Sequence, residues 1–286
     1  MNPAFDKSAA PAAEPGIDDK ALAEIGAILQ GKRNFCLSDY KCACMKRRIA
    51  IRMRATHCRD TAEYCRLLRN EEEELDLLQK ALTIHVSHFF RNPSLFEKLR
   101  QQVFPDLFVT AGLRADTSLR ILCLGCAGGE EPYSLAILLR EYFSRELKQV
   151  QTTIMGTDID AGTLASAGTA EYSADRLKEV SPLFMKRYFR QQGERFSLLP
   201  EIRDMVTFTR DNITAIERFG FSDMVLCRNT LIYFTRPEQE KILNGIADVL
   251  PSNGILVLGK SETLVGKTRK RFKPLCSLER IYYKVA

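Results

Sequence analysis

The chain has no uninterrupted apolar stretch approaching the roughly 20 residues needed to span a bilayer. Its opening segment, MNPAFDKSAAPAAEPG, lacks an apolar signal core, so a cytoplasmic protein without membrane insertion is expected. The nine cysteines are an odd number without framework spacing, which argues against disulfides and for reduced thiols. Neither an internal repeat nor a long low-complexity segment is present. Two phosphate grips are missing as well: there is no GxxxxGK[ST], and the one glycine-rich loop is not GxGxxG.

What is present suits a folded domain or two. The 286 residues can bury a substantial core, and 45% hydrophobic with 27% charged residues is ordinary for a globular protein. The net charge of +6 is unevenly placed. Residues 31–70 carry eleven Lys/Arg against three Asp/Glu, a local +8 that leaves −2 for the remainder. A basic N-terminal region on a slightly acidic body points to docking on an acidic partner.

Residues 1–16 are Ala/Pro-rich and expected to be a flexible tail. From Ile17 to about Phe104 the pattern is helical with no convincing strand. Asp60 or Thr61 is placed to cap one helix, and Glu71–Glu74 suit the first turn of another. Strand and helix then alternate: strands at 119–124, 151–157, 223–227 and 254–258, helices at 131–145, 161–168 and 237–250. That alternation predicts a parallel sheet covered by helices. Two short strands, 272–276 and 280–284, close the chain. Between 188 and 210, three short apolar-polar runs (Tyr188–Arg190, Phe196–Leu199, Val206–Thr209) predict a small antiparallel insert.

The stretch LRILCLGCAGGEEPYSLAILL (119–139) joins an apolar strand to a helix through Gly125, Gly128 and Gly129, the unit at which open α/β sheets hold nucleotide-like ligands. Glu130 and Glu131 stand where a pyrophosphate needs amides and positive charge. They repel phosphate and attract an ammonium. Asp158 ends the next strand, where a carboxylate accepts hydrogen bonds from ribose hydroxyls, and Asp160 is placed to cap the following helix. A ligand with a ribose and a cation but no phosphate is implied. S-adenosylmethionine has that composition; NAD is disfavoured.

Several segments then match one family. Ser87–Arg91 (SHFFR), Gly129–Ser134 (GEEPYS), Thr157–Asp160 (TDID), Asp211–Ile213 (DNI), Cys227–Phe234 (CRNTLIYF) and Ser261–Leu264 (SETL) run in family order over residues 20–284. With them the chain resembles the CheR family of chemotaxis receptor glutamate O-methyltransferases. The resemblance implies a Rossmann-like S-adenosylmethionine-dependent methyltransferase domain of α/β class, with a small antiparallel β-subdomain insert, preceded by an all-α N-terminal domain. The expected divisions are 17–90 for helical receptor docking and 91–286 for methyl transfer, with 188–210 as the insert.

The resemblance also implies site residues. Arg91 and Tyr233 would be catalytic, Arg91 clamping the substrate carboxylate and Tyr233 lying near the transferring methyl. His85, Ser87, Arg91, Glu131, Asp158, Asn212, Ile213, Arg228 and Asn229 would hold S-adenosylmethionine and its product S-adenosylhomocysteine. Glu131 takes the methionyl end, Asp158 the ribose, and Asn212 and Ile213 the adenine. Relatives commonly carry Asn where His85 stands, Thr where Ser87 stands, and a Ser–Thr pair near Cys126–Ala127.

The segment 41–54 has no acid. On a helix, Cys42, Met45, Ile49 and Met53 share an apolar face, with cations on the others. Lys41, Lys46, Arg47, Arg48, Arg52 and Arg54 are therefore expected to dock the acidic coiled-coil methylation region of chemotaxis receptors. The short hairpin near Gln191–Arg195 favours docking without a receptor tether. No metal is expected at Cys42, Cys44, His57 and Cys58, whose spacing is not a zinc pattern. No nucleic-acid partner is expected, and the protein is expected to be a monomer. Two other readings stay open: a cofactor-binding interaction module with weak or no transfer, and a methyltransferase with another substrate.

Overall fold

The computed structural model describes residues 17–83 and 86–285. The expected tail at 1–16 and the site residue His85 lie outside the described residues. The chain divides into two units between Thr83 and Ile84.

The first unit is helical: Asp19–Arg33 (α1), Cys42–Ala55 (α2), Thr61–Asn70 (α3) and Glu72–Leu82 (α4). Asp18 caps α1 by accepting from the Ala21 amide, and Asp60 caps α3 by accepting from the Glu63 amide. Met45, Ile49 and Met53, spaced by four along α2, are fully buried. Cys42 does not join them; it is exposed, being the first helical residue. The one deeply placed acid among the described residues of this unit, Glu74, accepts from Tyr64 Oη at 2.7 Å and from Arg52 Nη2 at 2.5 Å, so its charge is matched where water is excluded.

The second unit begins with Pro93–Lys98 (α5), a π-helical turn at Leu99–Val103 and Phe104–Gly112 (α6). There follow Ser118–Leu124 (β1), Glu130–Tyr142 (α7), Gln151–Asp158 (β2), Ala161–Thr169 (α8), Glu171–Ser173 (β3) and Pro182–Tyr188 (α9). Phe189–Gln192 (β4), Arg195–Leu198 (β5), Pro200–Arg203 (α10), Val206–Arg210 (β6) and Met224–Cys227 (β7) come next. Arg236–Val249 (α11), Ile255–Leu258 (β8), Phe272–Cys276 (β9) and Ile281–Lys284 (β10) complete it.

Seven strands form one sheet in the order β6-β2-β1-β7-β8-β10-β9. The first five are mutually parallel, and β10 and β9 pair antiparallel at one edge. β7 and β8 are buried along their whole length, as strands covered by helices on both faces must be. Because β1 neighbours both β2 and β7, the chain reverses its direction of travel across the sheet there. That is where ligands bind in such folds, beyond the carboxyl ends of the strands.

Two expectations need correction. The domain boundary lies at 83/84, not 90/91, because Phe89 and Phe90 are core residues of the second unit: Phe89 packs edge-on against Tyr172 and Phe189, and Phe90 against Phe96. The antiparallel insert is the sheet β3-β5-β4, spanning residues 171–198. Val206–Thr209 is not part of it. This run lies within β6, which pairs parallel with β2, Ile154 to Val206 through Asp158 to Arg210. Gly156 on β2 makes that packing possible: a Cβ there would meet Cys126 Sγ and the Phe208 ring at 2.9 Å.

Candidate functional site

The loop after β1 is held by its own backbone. The Cys126 amide donates to Thr157 O at 2.9 Å and the Gly129 amide to Cys126 O at 3.0 Å. Gly129 has φ +84°, a conformation open to glycine at no steric cost, and a Cβ there would meet Phe208, Tyr133 and Ala167 within 3.2 Å. The turn delivers Glu130 and Glu131 into the first turn of α7, where the helix dipole favours carboxylates.

The two acids have different partners. Glu130 is 1% exposed and accepts from Arg176 Nη1 at 3.0 Å. Glu131 accepts through Oε2 from Arg228 Nη1 at 2.6 Å. Arg228, 7% exposed, reaches further: its Nη2 donates to the Arg91 carbonyl and to Asn92 Oδ1, both at 2.8 Å. One guanidinium therefore ties the loop after β7 to the start of α7 and to the Ser87–Asn92 segment.

Asp158 sits at the carboxyl end of β2, 6% exposed. Its Oδ2 accepts from the Ala127 amide at 3.0 Å and its Oδ1 from the Asp160 amide at 3.1 Å. These two bonds fix the plane of the carboxylate. Asp160 caps α8 through the Thr163 amide, as its position suggested. The Asp211 amide donates to Asp158 O at 3.2 Å, which brings the loop carrying Asn212 and Ile213 beside the same strand end. Asn212 Oδ1 accepts from the Thr214 amide, and Ile213 is buried.

The Ser87–Asn92 segment is held from the insert side. The Phe89 amide donates to Arg176 O at 2.9 Å, and Arg176 Nη1 returns a bond to Ser87 O at 2.6 Å. Glu179 contacts His88 Nε2 at 3.1 Å through one oxygen and accepts from the Asn92 amide at 3.2 Å through the other. Burial holds the His88 imidazole below its usual value, against the pull of Glu179. Phe90 and Asn92 both take positive φ (53° and 69°), so the loop doubles back tightly on either side of Arg91. The Arg91 guanidinium is half-buried and donates to Val86 O at 3.1 Å.

Sequence reasoning left several residues of this site without a role, Arg176, Glu179, Asn92 and Glu262 among them. Glu262, 3% exposed, accepts from four backbone amides: Asn229 (2.9 Å), Thr230 (2.8 Å), Leu231 (2.7 Å) and Gly259 (2.7 Å). It joins the loop after β8 to the loop after β7, which carries Arg228, Asn229 and Tyr233. Asn229 has φ +59°, and a Cβ at Gly259 would stand 2.8 Å from the Asn229 nitrogen. Burial pushes the Glu262 carboxyl above the usual carboxylate range, opposed by the four amides. The SETL segment was the only signal that could have pointed to it.

The structure therefore joins Arg91, Glu131 and Arg228 through one guanidinium, places Asp158 and the Asn212–Ile213 loop together at the end of β2, and holds Asn229 through Glu262. Tyr233 closes the 3-10 turn Leu231–Tyr233 of the same loop. Ser87 enters through its carbonyl. No group of three or more metal-ligating side chains occurs among the described residues.

The cations of the basic helix α2, and Lys41 just before it, differ in their surroundings, Lys41 being exposed. Lys46 pairs with Asp19 at 2.7 Å, Arg48 donates to Ala81 O and Leu82 O at the end of α4, and Arg52 pairs with buried Glu74. These three hold the helical unit together. Arg47 and Arg54, with Ile51 at 49% exposure between them, do face outward.

Cys123, Cys126 and Cys227 line the strand ends of the site, and burial pushes all three thiols up. They are expected to resist alkylation by iodoacetamide near pH ~8, whereas exposed Cys42 is modified. Peptide mass spectrometry of the native protein reads this directly; labelling of Cys126 at the rate of Cys42 would contradict the burial.

Comparison with known proteins agrees with this geometry. Residues 20–83 match the family model described as "CheR methyltransferase, all-alpha domain" and residues 85–280 match "CheR methyltransferase, SAM binding domain". The chain is 34% identical over 265 residues to the "Uncharacterized 104.1 kDa protein in hypE 3'region" of Rhodobacter capsulatus, covering 92% of this chain and 27% of that protein. It thus spans about a quarter of that relative's length. It is 33% identical over 230 residues to a "Chemotaxis protein methyltransferase" of Listeria innocua, covering 80% and 84% of the two chains. "Chemotaxis protein methyltransferase 2" of Vibrio cholerae is 33% identical over 196 residues, 67% of each chain. No helix among the described residues is long and apolar enough to cross a membrane. The chain belongs to the CheR methyltransferase family, its all-α domain followed by the S-adenosylmethionine-binding domain.

Proposed function

We propose that the protein transfers the methyl group of S-adenosylmethionine to glutamate side chains of chemotaxis receptors in the cytoplasm, forming glutamyl methyl esters. One observation supports this most: two fixed carboxylates, Glu131 and Asp158, flank a glycine turn that has no phosphate grip. The residues present fit the cofactor. Asp158 stands at the carboxyl end of β2, where a ribose is held in such folds, and Glu131, with Oε2 held by Arg228, presents Oε1 to an α-ammonium. Asn212 and Ile213 border the adenine position, and Ser87 and Asn229 the methionyl side.

S-adenosylmethionine, when bound, supplies an electrophilic methyl on a cationic sulfur. The protein's own task is modest in acid-base terms, since a glutamate carboxylate is already ionised at neutral pH and no general base is needed. It must align the carboxylate oxygen with the methyl carbon and exclude water. Arg91 is the clamp for that carboxylate, because a guanidinium orients it through two parallel bonds. Tyr233 shapes the channel through which the methyl passes. The outward residues Arg47 and Arg54 meet the acidic methylation region of the receptor. The test is mass spectrometry of a receptor cytoplasmic fragment after incubation with enzyme and S-adenosylmethionine. Methyl groups on glutamates support the proposal; methylation confined to other residue types would replace it with another substrate.

A further inference from the structure

Residues 260–284 hold eight Lys/Arg and only two acids, Glu262 and Glu279, which are 3% and 5% exposed. This surface charge lies outside the site described above. Four of the cations have internal tasks: Arg271 pairs with Asp248 of α11, Lys260 with Glu279, Arg269 donates to Leu264 O, and Lys284 donates to Leu250 O. Lys267, Lys270 and Lys273 are exposed, and no ion pair or hydrogen bond of their side chains occurs among the described residues. Glu240 of α11 accepts from the Lys267 backbone amide.

The three lysines are regularly placed. Lys267 and Lys270 lie on the 3-10 turn Gly266–Lys270, where residues three apart eclipse, about 6 Å apart along the axis. Lys273, Pro274 and Leu275 are all exposed on β9, Leu275 by 37%, because the ladder to β10 slips by one residue between Pro274 and Cys276 and leaves Leu275 bulged outward. β9 is the edge of the sheet. Lysine and proline on an edge strand blunt edge-to-edge pairing, which accounts for Lys273 and Pro274. It does not account for Lys267 and Lys270, which lie off the sheet.

We infer that the strip Lys267–Lys270–Lys273–Leu275 is a second docking surface, on the methyltransferase unit itself, for a glutamate-bearing helix of the protein substrate. Carboxylates at i and i+4 on a helix stand about 6 Å apart, which matches the lysine spacing, and Leu275 offers an apolar contact at the end of the row. Pro274 lacks an amide donor, so the contact runs through side chains and not through an added strand. No aromatic side chain is exposed in the strip, which disfavours single-stranded nucleic acid. The inference rests on the proposed receptor substrate, and binding separates it from catalysis.

The full-length chain and the triple variant Lys267→Glu/Lys270→Glu/Lys273→Glu are saturated with S-adenosylhomocysteine and titrated with a receptor cytoplasmic fragment by fluorescence anisotropy. The expected result is a Kd about tenfold or more weaker for the variant, with a shallower salt dependence and unchanged S-adenosylhomocysteine affinity. If the triple variant does not fold, Lys270→Glu alone is compared, and a weaker Kd is still expected. Equal affinity of variant and wild type, or no binding by wild type, would overturn the strip. A difference seen only with phosphatidylglycerol vesicles or with single-stranded DNA would overturn it too, reassigning the surface. Wild-type protein that binds through the strip yet leaves the glutamates unmethylated would sink the proposed reaction while the strip stands.

Discussion

Arg228→Met is expected to lose at least about a hundredfold in S-adenosylhomocysteine affinity and to abolish methyl transfer. Arg228 is buried, and its guanidinium serves three acceptors on two other segments: Glu131 Oε2, the Arg91 carbonyl and Asn92 Oδ1. Removing one member of a buried ion pair costs about 3–5 kcal/mol, because the remaining charge has lost its partner where water cannot replace it. Here the remaining charge is Glu131, the carboxylate proposed to receive the ammonium. Met fills similar volume, so the loss reports the missing guanidinium more than a cavity. Arg228→Lys keeps the charge but lacks the planar fork, and is expected to recover only part of the affinity. Isothermal titration with S-adenosylhomocysteine measures both variants. Wild-type affinity in Arg228→Met would show that the three contacts do not organise the site.

Glu262→Gln is expected to be nearly as damaging, although it changes one atom. The carboxylate accepts from four amides with two oxygens, whereas an amide side chain presents one oxygen and an NH2. Two of the four backbone donors then face another donor. Each buried donor left unsatisfied costs about 1–3 kcal/mol. The loop that loses them carries Arg228, Asn229 and Tyr233, so the damage reaches the cofactor cleft from a residue proposed to touch neither ligand. The expected signature is faster hydrogen exchange at Asn229, Thr230, Leu231 and Gly259, with KM for S-adenosylmethionine raised about tenfold or more and KM for the receptor fragment unchanged. Simple instability would lower the active fraction and leave both KM values in place.

These two residues also mark what was legible from sequence. The β1–turn–α7 unit was legible because its signal is local: an apolar run, glycines at the bend, acids in the first helical turn. Asp160 as a cap was legible for the same reason. Val206–Thr209 was not, because a short alternating run carries no information about its partner; only pairing with β2 places it in the main sheet. The partners of the α2 cations were not legible because a charge run cannot say where each head goes. Arg48 finds carbonyls 33 and 34 residues away, and Arg52 a carboxylate 22 residues away. Glu262 stayed without a role because its partners are backbone amides, which have no signature in residue type. Arg228 and Glu131 were each identified, but their mutual contact, 97 residues apart in the chain, was visible only in the fold.

The central claim is that this cleft delivers a methyl group to a glutamate carboxylate. The most direct measurement incubates the full-length chain with methyl-labelled S-adenosylmethionine and a receptor cytoplasmic fragment, then treats the fragment with alkali and counts volatile methanol. Labelled methanol that is released from the wild-type reaction, and absent with Arg228→Met, is the expected result. A fragment that yields no methanol, from protein that binds S-adenosylhomocysteine normally, would contradict it.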